Sequence, residues 1–233
     1  MPSTPLFYQP DLALSHLTPE ESHHTIHVLR LRVGDAIEVT DGLGTLASAE
    51  LTSTESRIAG FRILKSQKTP KREPGIHLAI APTKNIDRME WLVEKCTEIG
   101  VGRITFVRCK TSERPSIPLE RLQKLALSAM KQSRQAWLPV LADMTPFKEF
   151  IGLVKEPQRF IAYVDTSNPD LLSALLRPTG DRVLLIGPEG DFTAEELKLA
   201  LDAGFKKVSL GPNRLRTETA GLVGAVVMTT SVK

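Results

Sequence analysis

The sequence predicts an α/β protein: a parallel sheet with helices between its strands, preceded by a smaller domain of short strands. Three observations lead there. From Ile76 onward, apolar runs of strand length alternate with helical patterns, the order from which parallel sheets are built. Two late runs, residues 183–186 and 208–210, end in similar turns, Gly187-Pro188-Glu189-Gly190 and Gly211-Pro212-Asn213. Short apolar runs bounded by Gly and Pro read as strands buried on both faces. Before Ile76 the signals are mostly short alternating runs with turn residues between them, the mark of a small β domain.

In that first domain Leu6-Phe7-Tyr8 reads as a strand. Thr18-Pro19-Glu20-Glu21 supplies a cap, a proline at the first helical position and first-turn acids. The helix it starts runs through His23, His24 and His27 to about Leu29. Strands are expected over 36–40, 45–53 and 57–65, with Asp41-Gly42-Leu43-Gly44 as a hairpin turn. Several short strands and one helix suggest a small barrel. His23 and His27 are four apart and share a helix face, but no third ligand lies nearby and zinc needs three or four; no metal is expected. The stretch 65–74, KSQKTPKREP, is polar and basic and holds two prolines. Such a composition cannot bury a core and marks a boundary. The first domain is therefore drawn over 1–68, the linker over 69–74 and the second domain over 75–233.

The second domain opens with a strand over 76–81. Asn85 can cap a helix over 86–99, with Met89, Leu92, Val93 and Cys96 on one face and Gly100 as its stop. A strand over 104–108, a helix from Leu119 to about Ala136, a strand over 160–164 and a short helix over 171–176 opened by Asn168-Pro169 follow. Then come strand, Gly-Pro loop, helix, strand, Gly-Pro loop and helix, making five strands in all. Thr193 and Glu196 form a capping box for the helix between the loops, and Gly204 stops it. Open parallel sheets bind ligands beyond the carboxyl ends of their strands, and both Gly-Pro loops fall there. The second loop continues as Arg214-Leu215-Arg216-Thr217-Glu218-Thr219. Thr217 can cap the final helix, over 218–232, and Glu218 suits its positive end. That helix is apolar on nearly every side and is expected to be buried.

Composition narrows the function. The chain of 233 residues is 41% hydrophobic and 24% charged, within the range of ordinary globular proteins. Its net charge of +3 is compatible with an RNA partner without requiring one. No apolar run approaches the roughly 20 residues of a membrane span. The opening Met-Pro-Ser-Thr-Pro lacks the regions of a signal peptide, so the cytoplasm is the expected compartment. Cys96 and Cys109, the two cysteines, have neither zinc-site nor disulfide-scaffold spacing. No G-x-G-x-x-G follows the first strand, and no P-loop is present.

Taken together, LLIGPEGDFTAEE and LGPNRLRTETA resemble the C-terminal signature of the SPOUT superfamily of RNA methyltransferases, and within it the RsmE family, which methylates N3 of a uridine in small-subunit ribosomal RNA. The resemblance extends to His24-Thr25-Ile26-His27-Val28-Leu29-Arg30 with Gly34-Asp35, to Glu94-Lys95-Cys96-Thr97-Glu98-Ile99-Gly100, to Thr111-Ser112-Glu113-Arg114 and to Lys131-Gln132-Ser133. One departure stands out: the family often has an acidic residue before that Gln and Gly-Arg after the segment, where this chain has Lys131 and Arg134-Gln135. The resemblance implies a PUA-like or OB-like RNA-binding barrel over 1–68, a deep trefoil knot at the C-terminus, S-adenosylmethionine as cofactor, 16S ribosomal RNA or the small subunit as partner, and a homodimer. By the same token Leu185, Ile186, Gly187, Glu189, Gly190, Leu210, Gly211, Leu215, Thr217, Thr219 and Ala220 would bind the cofactor. His24, Arg30 and Arg32, with the linker cations Lys71 and Arg72, would hold RNA phosphates; as bare sequence, Arg30 and Arg32 also read as solvated surface charges.

The implied chemistry names candidate catalytic residues. Transfer of a methyl group from a sulfonium is an in-line displacement that depends on positioning. Uracil N3 carries a proton and is nucleophilic only as the imide anion. A fixed guanidinium near O2 and O4 would stabilise that anion. Arg216 is the first candidate and Arg214 the second. Glu218 could accept the proton or bind a polar group of the cofactor. Ribose 2′-O-methylation, which needs no imide deprotonation, and RNA binding through an inactive knot are the competing expectations.

Overall fold

The computed structural model describes residues 4–54, 57–164 and 170–231. They form two compact units, one comprising the chain up to Lys71 together with Leu127–Leu138, the other Arg72–Ala126 together with Pro139 onward.

The first unit is built on β1 (Leu6–Tyr8), α1 (Pro19–His23), β2 (Ala36–Thr40), β3 (Thr45–Ser53) and β4 (Gly60–Lys68). Helix α1 is capped by the Thr18 hydroxyl, which accepts from the Glu21 N–H, and it runs on as a π turn over His24–Val28. The strands form one sheet in the order β1-β2-β3-β4, with β1 parallel to β2 and the other pairs antiparallel. Period-2 alternation points Ile37, Val39, Ala49 and Leu51 to one side, where they meet Phe7, Leu17 and Phe61. The expected barrel takes the form of a four-stranded sheet with two isolated bridges among the described residues, His16 to Gly60 at the start of β4 and Leu43 to Trp137.

Two corrections concern this unit. The strand expected over 57–65 lies at Gly60–Lys68, so the first four residues of the polar stretch 65–74 are ladder: Lys68 pairs with Thr45 and Ser66 with Ala47. Backbone hydrogen bonds carry this part of β4, and its side chains are exposed. The segment after the long helix also turns back to this unit. The Leu138 N–H donates to the Gly42 carbonyl, the Gly44 N–H to that of Ala136, and the Trp137 indole to that of Thr69. Lys131 and Arg134, where the chain departs from the family pattern, make ion pairs here, Lys131 with Glu21 at 2.5 Å and Arg134 with Glu38.

The second unit holds β5 (Ile76–Ile80), α2 (Ile86–Glu98), β6 (Arg103–Arg108), the first part of α3 (Leu119–Gln132), β7 (Val140–Pro146), α4 (Phe147–Leu153), β8 (Gln158–Ala162), α5 (Leu172–Leu175), β9 (Arg182–Ile186), α6 (Ala194–Asp202), β10 (Lys206–Val208) and α7 (Thr217–Thr230). Among the described residues its sheet has six strands, ordered β10-β8-β9-β5-β6-β7 and parallel throughout. Five had been expected. The extra strand, β7, pairs only with β6 and exposes Val140, so its sequence carries little of the apolar run that marks an inner strand. Helix α3 stops at Gln132 rather than near Ala136, and Arg134 then takes a positive φ of 56°. Asn168-Pro169 and Val232 lie outside the described residues.

Helices cover both faces of this sheet. Phe147, Phe150 and Ile151 of α4 and Ala200 of α6 pack with Ala79, Val183 and Leu185. On the other face α7 lies against α2, β5 and β9. The contact is close because Gly221 and Gly224 face the sheet: a Cβ on Gly221 would meet Ile80 Cδ1 at 3.0 Å, and one on Gly224 would collide with Leu184 Cδ2. Downstream of β10, at the sheet edge, the chain thus returns to its middle.

The amino ends of the strands carry buried polar groups. His77 shares its ring nitrogens between Glu156 at 2.6 Å and Thr105 at 2.8 Å. Burial alone would raise the Glu156 carboxyl, but the His77 hydrogen bond and charge, with backbone donors, outweigh it and lower it from 4.5 to about 2.

Two tests follow from this packing. Gly224→Ala overpacks the α7 face and should destabilise the protein by roughly 1–3 kcal/mol, read as a lower urea midpoint. Glu156 has a folded pKa below its unfolded one, so its contribution is complete above about pH 4.5 and lost as the pH falls toward 2. Glu156→Gln should therefore melt below the native chain at pH 7, with the two melting temperatures converging across that acid window. A gap of constant size would show that the carboxylate charge plays no part.

Candidate functional site

The Gly-Pro loops follow β9 and β10 and lie together at the carboxyl edge of the second unit's sheet. With the ends of β8 and α7 they enclose a cavity of ≈ 730 Å³. The capping box of α6 holds one side: the Thr193 hydroxyl accepts from the Glu196 N–H, and the Glu196 carboxylate from the Thr193 N–H. Gly204, at φ 84°, follows that helix. The glycines of the two loops serve different needs. Gly211 sits at φ 132°, where L side chains are strained, with open space around it; at Gly187 a Cβ would meet the Phe192 ring at 2.8 Å.

Of the residues singled out for the cofactor, Ile186, Gly187, Glu189, Leu210 and Gly211 line this cavity, as do Leu215, Thr217 and Ala220. The two candidate arginines, Arg214 and Arg216, line it too. Leu185, Gly190, Thr219 and Glu218 are not among its lining residues. Leu185 is fully buried in the layer beneath α4 and α6.

The cap of α7 differs from expectation. The helix begins one residue earlier: Arg216, in extended conformation, is the N-cap and makes no side-chain capping bond, and Thr217 is the first helical residue. The Arg216 side chain is thereby left exposed at the cavity. Glu218, 7% exposed, forms an ion pair with Arg88 of α2, its Oε1 3.6 Å from the arginine Nε.

Sequence reasoning missed Arg88 and Tyr163, both of which line the cavity. A signal for Arg88 was available. It lies in the first turn of α2, directly after the Asn85 cap, and the first turn of a helix following a parallel strand sits at the ligand-binding edge. Tyr163 follows β8 at the same edge, with Lys207 Nζ 5.5 Å from its ring centroid. Both thiols are poor nucleophiles: burial pushes Cys96 up to about 12, and burial and the nearby Glu196 push Cys109 to about 12.

The RNA candidates separate. His24, Arg30 and Arg32 belong to the first unit. Arg30, at φ 55°, and Arg32 are exposed, beside exposed Val28, Leu29 and Val33. The His24 ring meets Phe7 edge-on at 6.1 Å between centroids. Lys71 is exposed. Arg72 has a different occupation: its guanidinium donates to the carbonyls of Ile99 at 3.0 Å and Thr229 at 3.2 Å, at the ends of α2 and α7. The rings of His23 and His27 lie 4.8 Å apart, and among the described residues no group of three or more His, Cys, Asp or Glu could hold a metal ion.

Comparison with known proteins matches both units to one family. The profile of an RNA methyltransferase domain matches residues 71–229, and that of an RNA methyltransferase PUA domain matches residues 17–61. The ribosomal RNA small subunit methyltransferase E of Synechocystis is 34% identical over 213 residues, covering 89% of this chain and 70% of the relative. The chain belongs to the ribosomal RNA small subunit methyltransferase E family. The likeness extends to three dimensions. A probable rRNA-methyltransferase from Porphyromonas gingivalis is 41% identical, with a TM-score of 0.91 and 97% of each chain covered. The family member from Neisseria gonorrhoeae, bound to S-adenosyl methionine, is 29% identical, with a TM-score of 0.87 and 99% and 98% of the two chains covered.

The placement of Arg72 yields a prediction. Its two hydrogen bonds to helix-end carbonyls are charge-assisted and favoured by the helix dipoles. Arg72→Ala should lower the melting temperature by a few degrees, at roughly 2–4 °C per kcal/mol, whereas Lys71→Ala should leave it unchanged. Equal melting temperatures for the two variants would return Arg72 to the ordinary surface.

Proposed function

We propose that this chain transfers the methyl group of S-adenosylmethionine to N3 of a uridine in 16S ribosomal RNA, uridine 1498 in the usual numbering. The observation that carries the reading is the convergence of both Gly-Pro loops with Arg214 and Arg216 on one cavity. Membership of the family and the cofactor bound in the Neisseria relative support it.

The residues present fit such a cofactor. The walls are backbone-rich at Gly187 and Gly211, where donors and acceptors approach a ligand closely, and the volume of ≈ 730 Å³ is within the range of small-molecule sites. Ile186, Gly187, Glu189, Leu210, Gly211, Leu215, Thr217 and Ala220 would hold it, with Leu185, Gly190 and Thr219 shaping the walls from behind. The bound cofactor supplies an electrophilic methyl group on a sulfonium. The chain must orient the base in line with that methyl group, exclude water and stabilise the imide anion. Arg216, held at the N-cap by its backbone and without a capping task for its side chain, is suited to binding the anion's oxygens, and Arg214 to a supporting role. In the first unit, His24, Arg30 and Arg32, with Lys71 beyond its last strand, would hold RNA phosphates.

Three further features belong to the same reading. The return of the chain from the edge strand β10 to the centre of the sheet is the path on which a deep trefoil knot would be tied. The outer face of α7, with Leu222, Val223 and Val227 half-buried and Val226 exposed, is suited to a second copy of the chain, in a homodimer. Among the described residues no helix is long and apolar enough to cross a membrane; action on ribosomal RNA would place the protein in the cytoplasm.

The test is nucleoside analysis of 16S ribosomal RNA from cells lacking the protein, and of that RNA after incubation with protein and cofactor. Loss and restoration of 3-methyluridine is expected; a ribose-methylated product would assign the other SPOUT chemistry. Arg216→Ala should then slow the single-turnover step by roughly 2.7–4 kcal/mol with little change in cofactor affinity, as for loss of one oxyanion-hole donor. Arg216→Lys should rescue poorly, because an ammonium lacks the planar fork. Higher pH should partly restore the Ala variant, since solution then supplies more imide anion. A defect of the same size at every pH would remove Arg216 from this role.

A further inference from the structure

The ion pair between Arg88 and Glu218 divides the work of the site in a way that the chemistry of the family stretch alone does not. Glu218 is 7% exposed and does not line the cavity; Arg88, from a different helix, does. The cavity wall thus carries the cation of the pair and not its carboxylate. Its Nε faces Glu218 Oε1 at 3.6 Å, and among the described residues it has no other hydrogen-bond or ion-pair partner. Its terminal nitrogens, a planar fork of parallel N–H donors, are left for a ligand. Glu218 Oε2 is buried with no hydrogen-bond partner among the described residues. A buried carboxylate short of donors is costly and holds any cation beside it firmly. α7 adds to the same field, because its positive end has no side-chain cap.

We propose that Arg88 is an oxyanion-binding residue of this site and that Glu218 is its positioning residue, not the acceptor of a proton. The ligand chemistry is a planar anion that accepts through oxygen. Two sources within the proposed reaction present it: the carboxylate of the cofactor, whose two oxygens match the fork, and one carbonyl oxygen of the uracil imide anion, bound so that N3 stays open to the methyl group. The inference rests on the methyltransferase reading of the cavity and adds a third guanidinium to Arg214 and Arg216. A carboxylate outside the cavity lining is not placed to take a proton from a base within it, but it fixes the rotamer of the guanidinium that lines it, which is how supporting groups tune a site.

The experiment uses the full chain and its Arg88→Ala, Arg88→Lys, Glu218→Gln and Arg88→Ala/Glu218→Gln variants. Calorimetry measures binding of S-adenosylmethionine and of its decarboxylated analogue, and single-turnover rates are taken on 16S ribosomal RNA at saturating cofactor. If the ligand is the uracil anion, Arg88→Ala slows turnover by roughly 100-fold and leaves both affinities unchanged. If it is the cofactor carboxylate, Arg88→Ala weakens S-adenosylmethionine by about 10-fold or more and leaves the decarboxylated analogue unaffected. In either case Arg88→Lys, which keeps the charge opposite Glu218 but not the fork, melts like the native chain and rescues poorly. Glu218→Gln gives a milder loss that disappears in the Arg88→Ala background. Native affinities and rate in Arg88→Ala, or full rescue by Lys, would overturn the proposal, as would a Glu218→Gln defect of undiminished size without Arg88. If the native chain binds cofactor but forms no 3-methyluridine, the functional reading fails on its own. The affinity ratio of the two cofactors then decides the Arg88 assignment, an unchanged ratio overturning it.

Discussion

The close seat of α7 on the sheet is the contact on which the site depends. Gly221 and Gly224 allow the helix to approach Ile80 and Leu184 without a side chain between them, and both of its ends are tied. At its carboxyl end, Arg182 donates to the Met228 carbonyl at 3.3 Å and Arg72 to that of Thr229 at 3.2 Å. Two cations at the negative end of one helix complement its dipole. Arg182 is fully buried, and burial, with Arg72 beside it, holds its pKa below the ordinary value. Keeping such a group inside is worthwhile only where helix-end carbonyls accept from it, because a buried charge without partners is expensive. At the amino end, Glu218 pairs with Arg88 of α2. A helix pinned at both ends and packed through glycines cannot slide, so the residues at its start, Arg216 and Thr217, occupy fixed places at the cavity.

That arrangement accounts for the exposure of the arginines where solvent and substrate can reach them. Three guanidinium groups, Arg88, Arg214 and Arg216, line one cavity with Glu189 and Asp191 opposite in sign. The acidic groups temper the field that three cations would otherwise impose on the cavity. Guanidinium groups, planar forks of N–H donors, suit planar anionic oxygens.

Much of this was legible in the chain because the deciding features are local. The Thr193–Glu196 capping box, the Asn85 cap and the Gly204 stop are written in short spacings, and all three stand where they were expected. The two Gly-Pro loops were readable as one site because an open parallel sheet brings the carboxyl ends of neighbouring strands to one edge. What escaped was non-local or masked by polarity. Strand β7 lies at the sheet edge and half in solvent, so apolar runs could not reveal it. The end of β4 is held by its ladder alone. Arg72 resembled a linker cation because the carbonyls it serves, on Ile99 and Thr229, lie far along the chain. The partnership of Arg88 and Glu218 spans two helices well separated in sequence, which no local pattern encodes.

The two edges of the sheet show opposite uses of polar groups, and the contrast explains why the site lies where it does. At the amino edge Gln158, His77 and Arg182 hydrogen-bond internally, although Arg182 Nε has no partner among the described residues. The Gln158 amide donates to the carbonyls of Arg177, Thr179 and Gly180 and accepts from the Arg177 N–H, His77 is shared by Glu156 and Thr105, and Arg182 serves Arg177 and Met228. Satisfied buried networks of this kind rigidify their surroundings. At the carboxyl edge the pattern reverses: Arg216 caps no helix through its side chain, Arg88 has its terminal nitrogens uncommitted, and Glu218 Oε2 lacks a donor among the described residues. An edge whose polar groups were all mutually satisfied would be more stable and could bind nothing. Rigidity at one end of the strands allows the other end to keep its hydrogen-bonding capacity for a ligand, and α7, anchored at the first and opening at the second, joins the two.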